Sequence, residues 1–151
     1  MSFTGVFPVY KLEFKVGKLG RESTTEDFVA VADMETFSLA IDGVVQDWTP
    51  MNTDGWVRRL MTGKGFTVSL NGKRHIGDEG NDYVADMAWK DGLECSTMGE
   101  IVFPDGAKLA FDCVIDVKNV AGADSTDVGP LEFDMMSDGK PDYTPAAPVG
   151  G

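Results

Sequence analysis

Three features of the sequence predict an all-β domain. Apolar and polar residues alternate with a period of two over several short runs, glycine and proline fall between those runs, and a helical stripe occurs at one place only. The 18 glycines and 7 prolines are about a sixth of the 151 residues, dense punctuation for a chain of this length. One domain spanning residues 1–151 is expected, large enough to bury about two-thirds of its unfolded surface.

In the first strand Tyr10, Leu12, Phe14 and Val16 alternate with Lys11, Glu13 and Lys15, giving one apolar and one charged face. Phe37, Leu39 and Ile41 repeat the pattern, and Asp42-Gly43 ahead of Val44-Val45 has the composition of a two-residue hairpin turn, so a return strand is expected there. The stretch from Gln46 to Met61 has no clear period and is read as a long loop, with Trp56 to Met61 as an alternative helical turn. Long loops inside compact domains usually have a task, and Trp48, Met51 and Trp56 suggest packing against another surface, the alternative being a loop folded onto its own core. Phe66, Val68 and Leu70 form the next strand, which Asn71-Gly72 either turns or kinks.

The helix is short, about ten residues, with Asn81 as cap, Asp82 at its positive end, a stripe of Tyr83, Val84, Met87 and Ala88, and Gly92 as terminator. A hairpin follows around Phe103 to Ala107, its second strand carrying Leu109, Phe111, Cys113, Ile115 and Val117 on one face. If Asp105-Gly106 are the two turn residues, Cys113 faces Met98 and Cys95 lies on the other face, which excludes a disulfide. A turn shifted by one residue makes the cysteines diagonal neighbours about 7–8 Å apart at Cα, and free thiols are still expected. Leu131, Phe133 and Met135 mark the last strand. Beyond it, Ser137 to Pro141 reads as a turn and Thr144 to Gly151 as a tail, with flexible segments expected over about 1–8 and about 140–151.

Composition removes several function classes. A net charge of −12 and a pI near 4.3 speak against a duplex nucleic-acid binder, which needs a basic footprint to displace counterions. No apolar run approaches the ~20 residues of a membrane span, and the opening residues do not resemble a secretory signal, so a soluble chain made in a cytosol is expected. Two cysteines and one histidine cannot assemble the usual structural zinc sets. Asp78 to Asp82 lacks the spacing of a calcium loop and reads as a polar turn into the helix. Gly63-Lys64-Gly65 is too short to cradle phosphate, and His75 beside Lys73 and Arg74 reads as a surface residue at a strand end. No carboxylate pair singles itself out for hydrolysis. Catalytic residues, metals and cofactors are therefore all expected to be none.

Charge is laid out in blocks: +3 over residues 1–21, −8 over 22–56, +5 over 57–75, and −6 over each of 76–104 and 105–151. Any one block is ordinarily a solvated surface, but the alternation as a whole suits copies that meet head to tail, the positive edge of one against the negative edge of the next.

The order of local motifs resembles the major tail protein family, the tail tube proteins of long, non-contractile-tailed phages of Gram-positive bacteria. The motifs are Met34-Glu35-Thr36-Phe37-Ser38, Trp48, Asp54 to Leu60, Thr62-Gly63-Lys64, Ser69 to Arg74, Gly80 to Val84, Phe103 to Ala107 and Pro130 to Asp134, and they cover roughly residues 34 to 145. The resemblance implies an antiparallel β-sandwich with one short flanking α-helix, the tail-tube fold. It also implies six-membered rings stacked head to tail into a hollow virion tube, assembled in the host bacterial cytoplasm, through whose lumen DNA is ejected without specific binding. Implied partners are other copies of the chain and the tail-tip initiator, tape measure and tail terminator proteins. Trp48, Met51, Trp56, Arg58 and Arg59 are the candidate inter-subunit contacts, and Asp112 and Asp116, on the polar face of the best hairpin, the candidate acidic residues of the lumen. The runner-up is a monomeric β-sandwich that binds carbohydrate or protein, with Trp48, Trp56 or Trp89 facing the ligand.

Overall fold

The structure, a computed structural model, describes residues 4–146. Its strands in chain order are β1 (Glu13–Gly17), β2 (Phe28–Ala30), β3 (Met34–Trp48), β4 (Arg58–Lys73), β5 (Ser96–Val102), β6 (Lys108–Val120), β7 (Pro130–Ser137) and β8 (Asp142–Thr144), with one helix, α1 (Glu79–Asp86), between β4 and β5. All pairings are antiparallel, in the order β2-β1-β5-β6-β7-β4-β3, with β8 on β6.

The sheet coils until elements far apart in that order touch. Phe14 of β1 packs on Phe37 of β3 with ring centroids 4.7 Å apart, and Phe66 of β4 meets Phe111 of β6 edge-on at 4.9 Å. β6 makes the bend possible: its first half pairs with β5 and its second half with β7. The two halves of the sheet thus face each other as the layers of a sandwich, around Val16, Val68, Leu70, Ile101, Leu131 and Phe133. Each such side chain contributes about 1.5–3 kcal/mol by leaving water.

α1 closes one end of this core with Val84 and Ala85. Asp78 caps it, not Asn81: the Asp78 carboxylate accepts from the Asn81 and Ala32 amides. Asn81 is fully buried and works as a clamp instead. Its Nδ2 donates to the carbonyls of Ala32 (3.0 Å) and Lys73 (2.9 Å), while its Oδ1 accepts from Arg74 Nη1 and the His75 amide, tying β4 to the turn between β2 and β3. Gly80 lets α1 approach this closely, since a Cβ there would lie 2.2 Å from the Ala30 carbonyl oxygen.

Several local expectations are corrected. Tyr10 and Leu12 precede the first strand, because Val9–Lys11 is a 3-10 turn. Asp42-Gly43 does not turn the chain: β3 runs through it for 15 residues, Asp42 opposite Gly65 and Gly43 opposite Lys64. The stretch from Gln46 to Met61 is not a long loop, and Arg58 to Met61 is not helical. It is the tip of a β3–β4 hairpin whose turn lies between Trp48 and Arg58. Asn71-Gly72 leaves β4 extended, and Gly72 is required where Asp33 crosses, its missing Cβ lying 2.2 Å from the Asp33 carbonyl oxygen. The β5–β6 turn is shifted by one residue, so Cys113 faces Thr97, and both cysteines are buried and free. The stretch after Ser137 is not all tail, since β8 pairs with the start of β6. Residues 1–3 and 147–151 of the two expected flexible segments lie outside the described residues.

Candidate assembly surface

β4 pairs with β7 only from Thr67 to Lys73, whereas its pairing with β3 continues out to Trp48 opposite Arg58. Residues 41 to 65 therefore leave the sheet as a two-stranded ribbon. Cross-strand pairing places Ile41, Val45 and Met61 on one face and Val44, Leu60 and Trp48 on the other, with a register shift between Val44 and Val45. All six are exposed, as are Met51, Trp56 and Val57 around the tip. A lone two-stranded ribbon is marginal in water, and apolar residues on both faces leave this one nothing of its own to pack on. It holds its shape through pairing, through Thr53 Oγ1 donating to the Pro50 and Trp56 carbonyls in the turn, and through Arg58 lying 5.7 Å from the Trp48 ring.

All five candidate contact residues thus fall on this projection. Trp48 and Arg58 form its last cross-strand pair, Arg59 sits opposite Asp47 at 4.0 Å, and Met51 and Trp56 lie on the turn. The apolar positions missed at sequence level are Ile41, Val44, Val45, Leu60 and Met61. Their signal was present but misread, because apolar residues on both faces of a strand erase the period-two pattern. At the ribbon's base a groove of about 1060 Å³ separates it from β8, lined among others by Ile41, Met61, Leu109 and Tyr143. Among the described residues the outer edge of β3 pairs with no strand, and β4 has a free edge beyond Phe66, whose amide donates to Ser137 Oγ. Such edges are liabilities in a monomer and templates for pairing with another chain.

The second candidate set lies on the outward face of the sandwich. Asp112 and Asp116 both point away from the core on β6, Asp112 within 4.0 Å of Arg21 and Asp116 accepting from Lys118 at 2.6 Å. That contact raises the Lys118 pKa. Asp134 of β7 stands directly opposite Asp116 and accepts from Ser69 of β4 at 2.7 Å. Like charges opposed across a ladder cost stability, which the neighbouring cation and hydroxyl offset. Asp134 went unnoticed in the sequence, although its place between Phe133 and Met135 already put it on the outward face. Arg21 pins the 3-10 turn Gly20–Glu22 to this face, donating to the Thr97 and Cys113 carbonyls and to Asp138 at 2.7 Å.

The described residues contain no group of three or more His, Cys, Asp or Glu able to hold a metal ion, and no helix among them is long and apolar enough to cross a membrane. Of the three tryptophans, Trp48 and Trp56 share the ribbon while Trp89 stands apart, beyond α1. The structure does not bring them together on one ligand-facing surface.

No protein-family model and no curated protein matches the sequence. Solved structures do match the fold. A chain from the tail of an empty gene transfer agent particle, determined with C6 symmetry, superposes with a TM-score of 0.72 at 14% identity, covering 93% of this chain and 100% of that one. The fold is that of the tail tubes. A chain from the tube-terminating cap of the anti-feeding prophage matches at 0.63 and 11% identity over 97% and 95% of the two chains. One from the sheath-tube complex of an extracellular contractile injection system matches at 0.58 and 12% identity over 92% and 91%. Identities this low carry the architecture only. The tail-tube fold nevertheless agrees with the resemblance read from the motifs, and with a mainly antiparallel sheet and one short helix.

Proposed function

We propose that this chain is a structural protein that assembles with copies of itself into six-membered rings, stacked head to tail as the tube of a virion tail, through which DNA leaves for the host. The observation that carries this reading is the ribbon of residues 41 to 65, apolar on both faces and uncovered within its own subunit. A second copy supplies the missing cover, and the open β3 edge supplies a place for neighbours around a ring to pair. The C6 symmetry of the gene transfer agent tail, whose subunit shares this fold, supports the ring size.

In this reading the protein is a component of the tail, assembled in the host cytoplasm, with initiator, tape measure and terminator proteins as its partners. No step of its task is catalytic. The chain's acidity also finds a use. A conduit must let phosphates slide past without holding them, and a wall bearing Asp116, Asp134 and Glu132 repels them at short range, salt screening the effect beyond ~8–10 Å. Asp112 is less suited, since Arg21 stands beside it.

Negative-stain electron microscopy of the purified, concentrated protein tests the proposal. Hollow rings or tubes of uniform diameter are expected, with six-fold symmetry in end views. Rings that pair but never extend would point to a terminator cap instead. Particles that stay monomeric, even with tail-tip complexes added as seeds, would overturn it in favour of a monomeric binding module.

A further inference from the structure

The tube reading requires that the ribbon's tip be received somewhere on the next copy. We infer that it is received by the segment following α1, around Trp89 and Leu93, an inference that rests on the function proposed above. Trp89 is 82% exposed and Leu93 90%, within five residues of each other in two consecutive 3-10 turns, and none of the described residues covers them. At the ribbon tip, Met51 is 102% exposed and Trp56 78%.

Charge and position both match these two surfaces. The Trp89 segment carries Asp86, Asp91 and Glu94 against the single cation Lys90, while the tip carries Arg58 and Arg59, with Asp54 at the turn and Asp47 beside Arg59. Among the described residues, Asp54, Arg58, Asp86, Lys90, Asp91 and Glu94 have no ion-pair partner, whereas Arg59 pairs with Asp47 and Glu79 and Asp82 of α1 pair with Lys18 and Arg74. The acids around that apolar centre thus offer an ion-pair partner to Arg58, which has none among the described residues of its own subunit, a contact of the kind that sets orientation and register between partners.

The two surfaces also lie at opposite ends of the sheet. The ribbon leaves at the end where β6 begins, its base beside Leu109 and Tyr143. The Trp89 segment lies beyond the pairing of Ser96 with Val114, toward the end where β6 finishes. Tip and receiver at opposite ends of one subunit make a head-to-tail contact that repeats without closing, as stacking requires.

Mixing two stacking-defective variants tests this. Trp56→Glu damages the tip and keeps the receiver; Trp89→Glu damages the receiver and keeps the tip. All these side chains are exposed, so thermal unfolding should match wild type. Each variant alone should give single rings and at least a tenfold loss of tube length in electron micrographs. An equimolar mixture should give paired rings that do not grow, because one competent tip meets one competent receiver and the chain of contacts ends there. As a second probe, Asp91→Lys/Glu94→Lys should also block stacking, and combining it with Arg58→Glu/Arg59→Glu in one chain should restore tubes. Wild-type tubes alongside tubes of normal length from Trp89→Glu and from Asp91→Lys/Glu94→Lys would overturn this inference and leave the tube reading standing. Wild-type protein that never assembles would overturn both.

Discussion

The two halves of β4 differ in what covers them. From Thr67 to Lys73 the strand lies between β3 and β7, and Val68 and Leu70 are sealed in the core. From Arg58 to Gly65 it has β3 alone, and Leu60 and Met61 stand in solvent. The residue types are similar along its length and the hydrogen-bonded ladder with β3 continues throughout. What changes is the layer above it: where β7, β6 and β1 supply a partner surface the strand is core, and where they end it is a projection. Apolar content alone therefore does not tell a core strand from an assembly arm, and the two halves should respond differently to the same kind of substitution.

The largest separation is expected between Phe133→Ala and Trp56→Ala. Phe133 is buried against the covered half of β4, and its loss should cost about 3–5 kcal/mol in urea unfolding. Trp56→Ala should change subunit stability by no more than about 0.5 kcal/mol while shortening or abolishing tubes in electron micrographs. Asn81→Ala comes next, because it strips the clamp that ends the covered half and leaves the Ala32 and Lys73 carbonyls without their donor. A loss of about 2–3 kcal/mol is expected in the same assay, with Asn81→Asp also destabilising since it cannot donate.

A smaller effect should appear in acid. The Arg74 guanidinium beside Asp82 holds that carboxyl below its ordinary value of 3.8. A carboxyl whose folded pKa lies below its unfolded one adds stability above the unfolded value and loses it as pH falls through the folded one. Stability of the wild type should thus drop more steeply than that of Asp82→Asn as pH falls below about 4. The smallest effect concerns Cys113, whose thiol is pushed up to about 12 by burial. It should resist a thiol reagent at about pH 8 in the native protein and react fully once urea unfolds the chain.

The covered region was the legible one. Phe66, Val68 and Leu70 of β4, the β6 face from Leu109 to Val117, and Leu131, Phe133 and Met135 of β7 alternate because one side meets the core and the other meets water. The ribbon breaks that rule on both sides, so Gln46 to Met61 read as loop. Asp42-Gly43 read as a turn because pairing with Gly65 and Lys64, which overrides local turn chemistry, involves residues far away in sequence. The helix was found but shifted: it ends at Asp86 rather than at Gly92, with Met87 and Ala88 in a following 3-10 turn, and it starts earlier, since Asp78 and Asn81 are both good caps and only the burial of Asn81 between two carbonyls decides between them. Of the candidate site, Trp48, Met51, Trp56, Arg58 and Arg59 were found by their density of aromatic, methionine and arginine side chains. That they project together from the sheet follows from the β3–β4 register, which no local pattern states.

Amide hydrogen exchange, followed along β4 in free subunits and in assembled particles, tests the central claim most directly. The account predicts slow exchange over Thr67 to Lys73 in both states. Over residues 41 to 65 it predicts fast exchange in the free subunit and at least tenfold slowing on assembly, as a second copy covers the ribbon. A ribbon that exchanges equally fast in assembled particles, or one already protected in the isolated subunit, would contradict it.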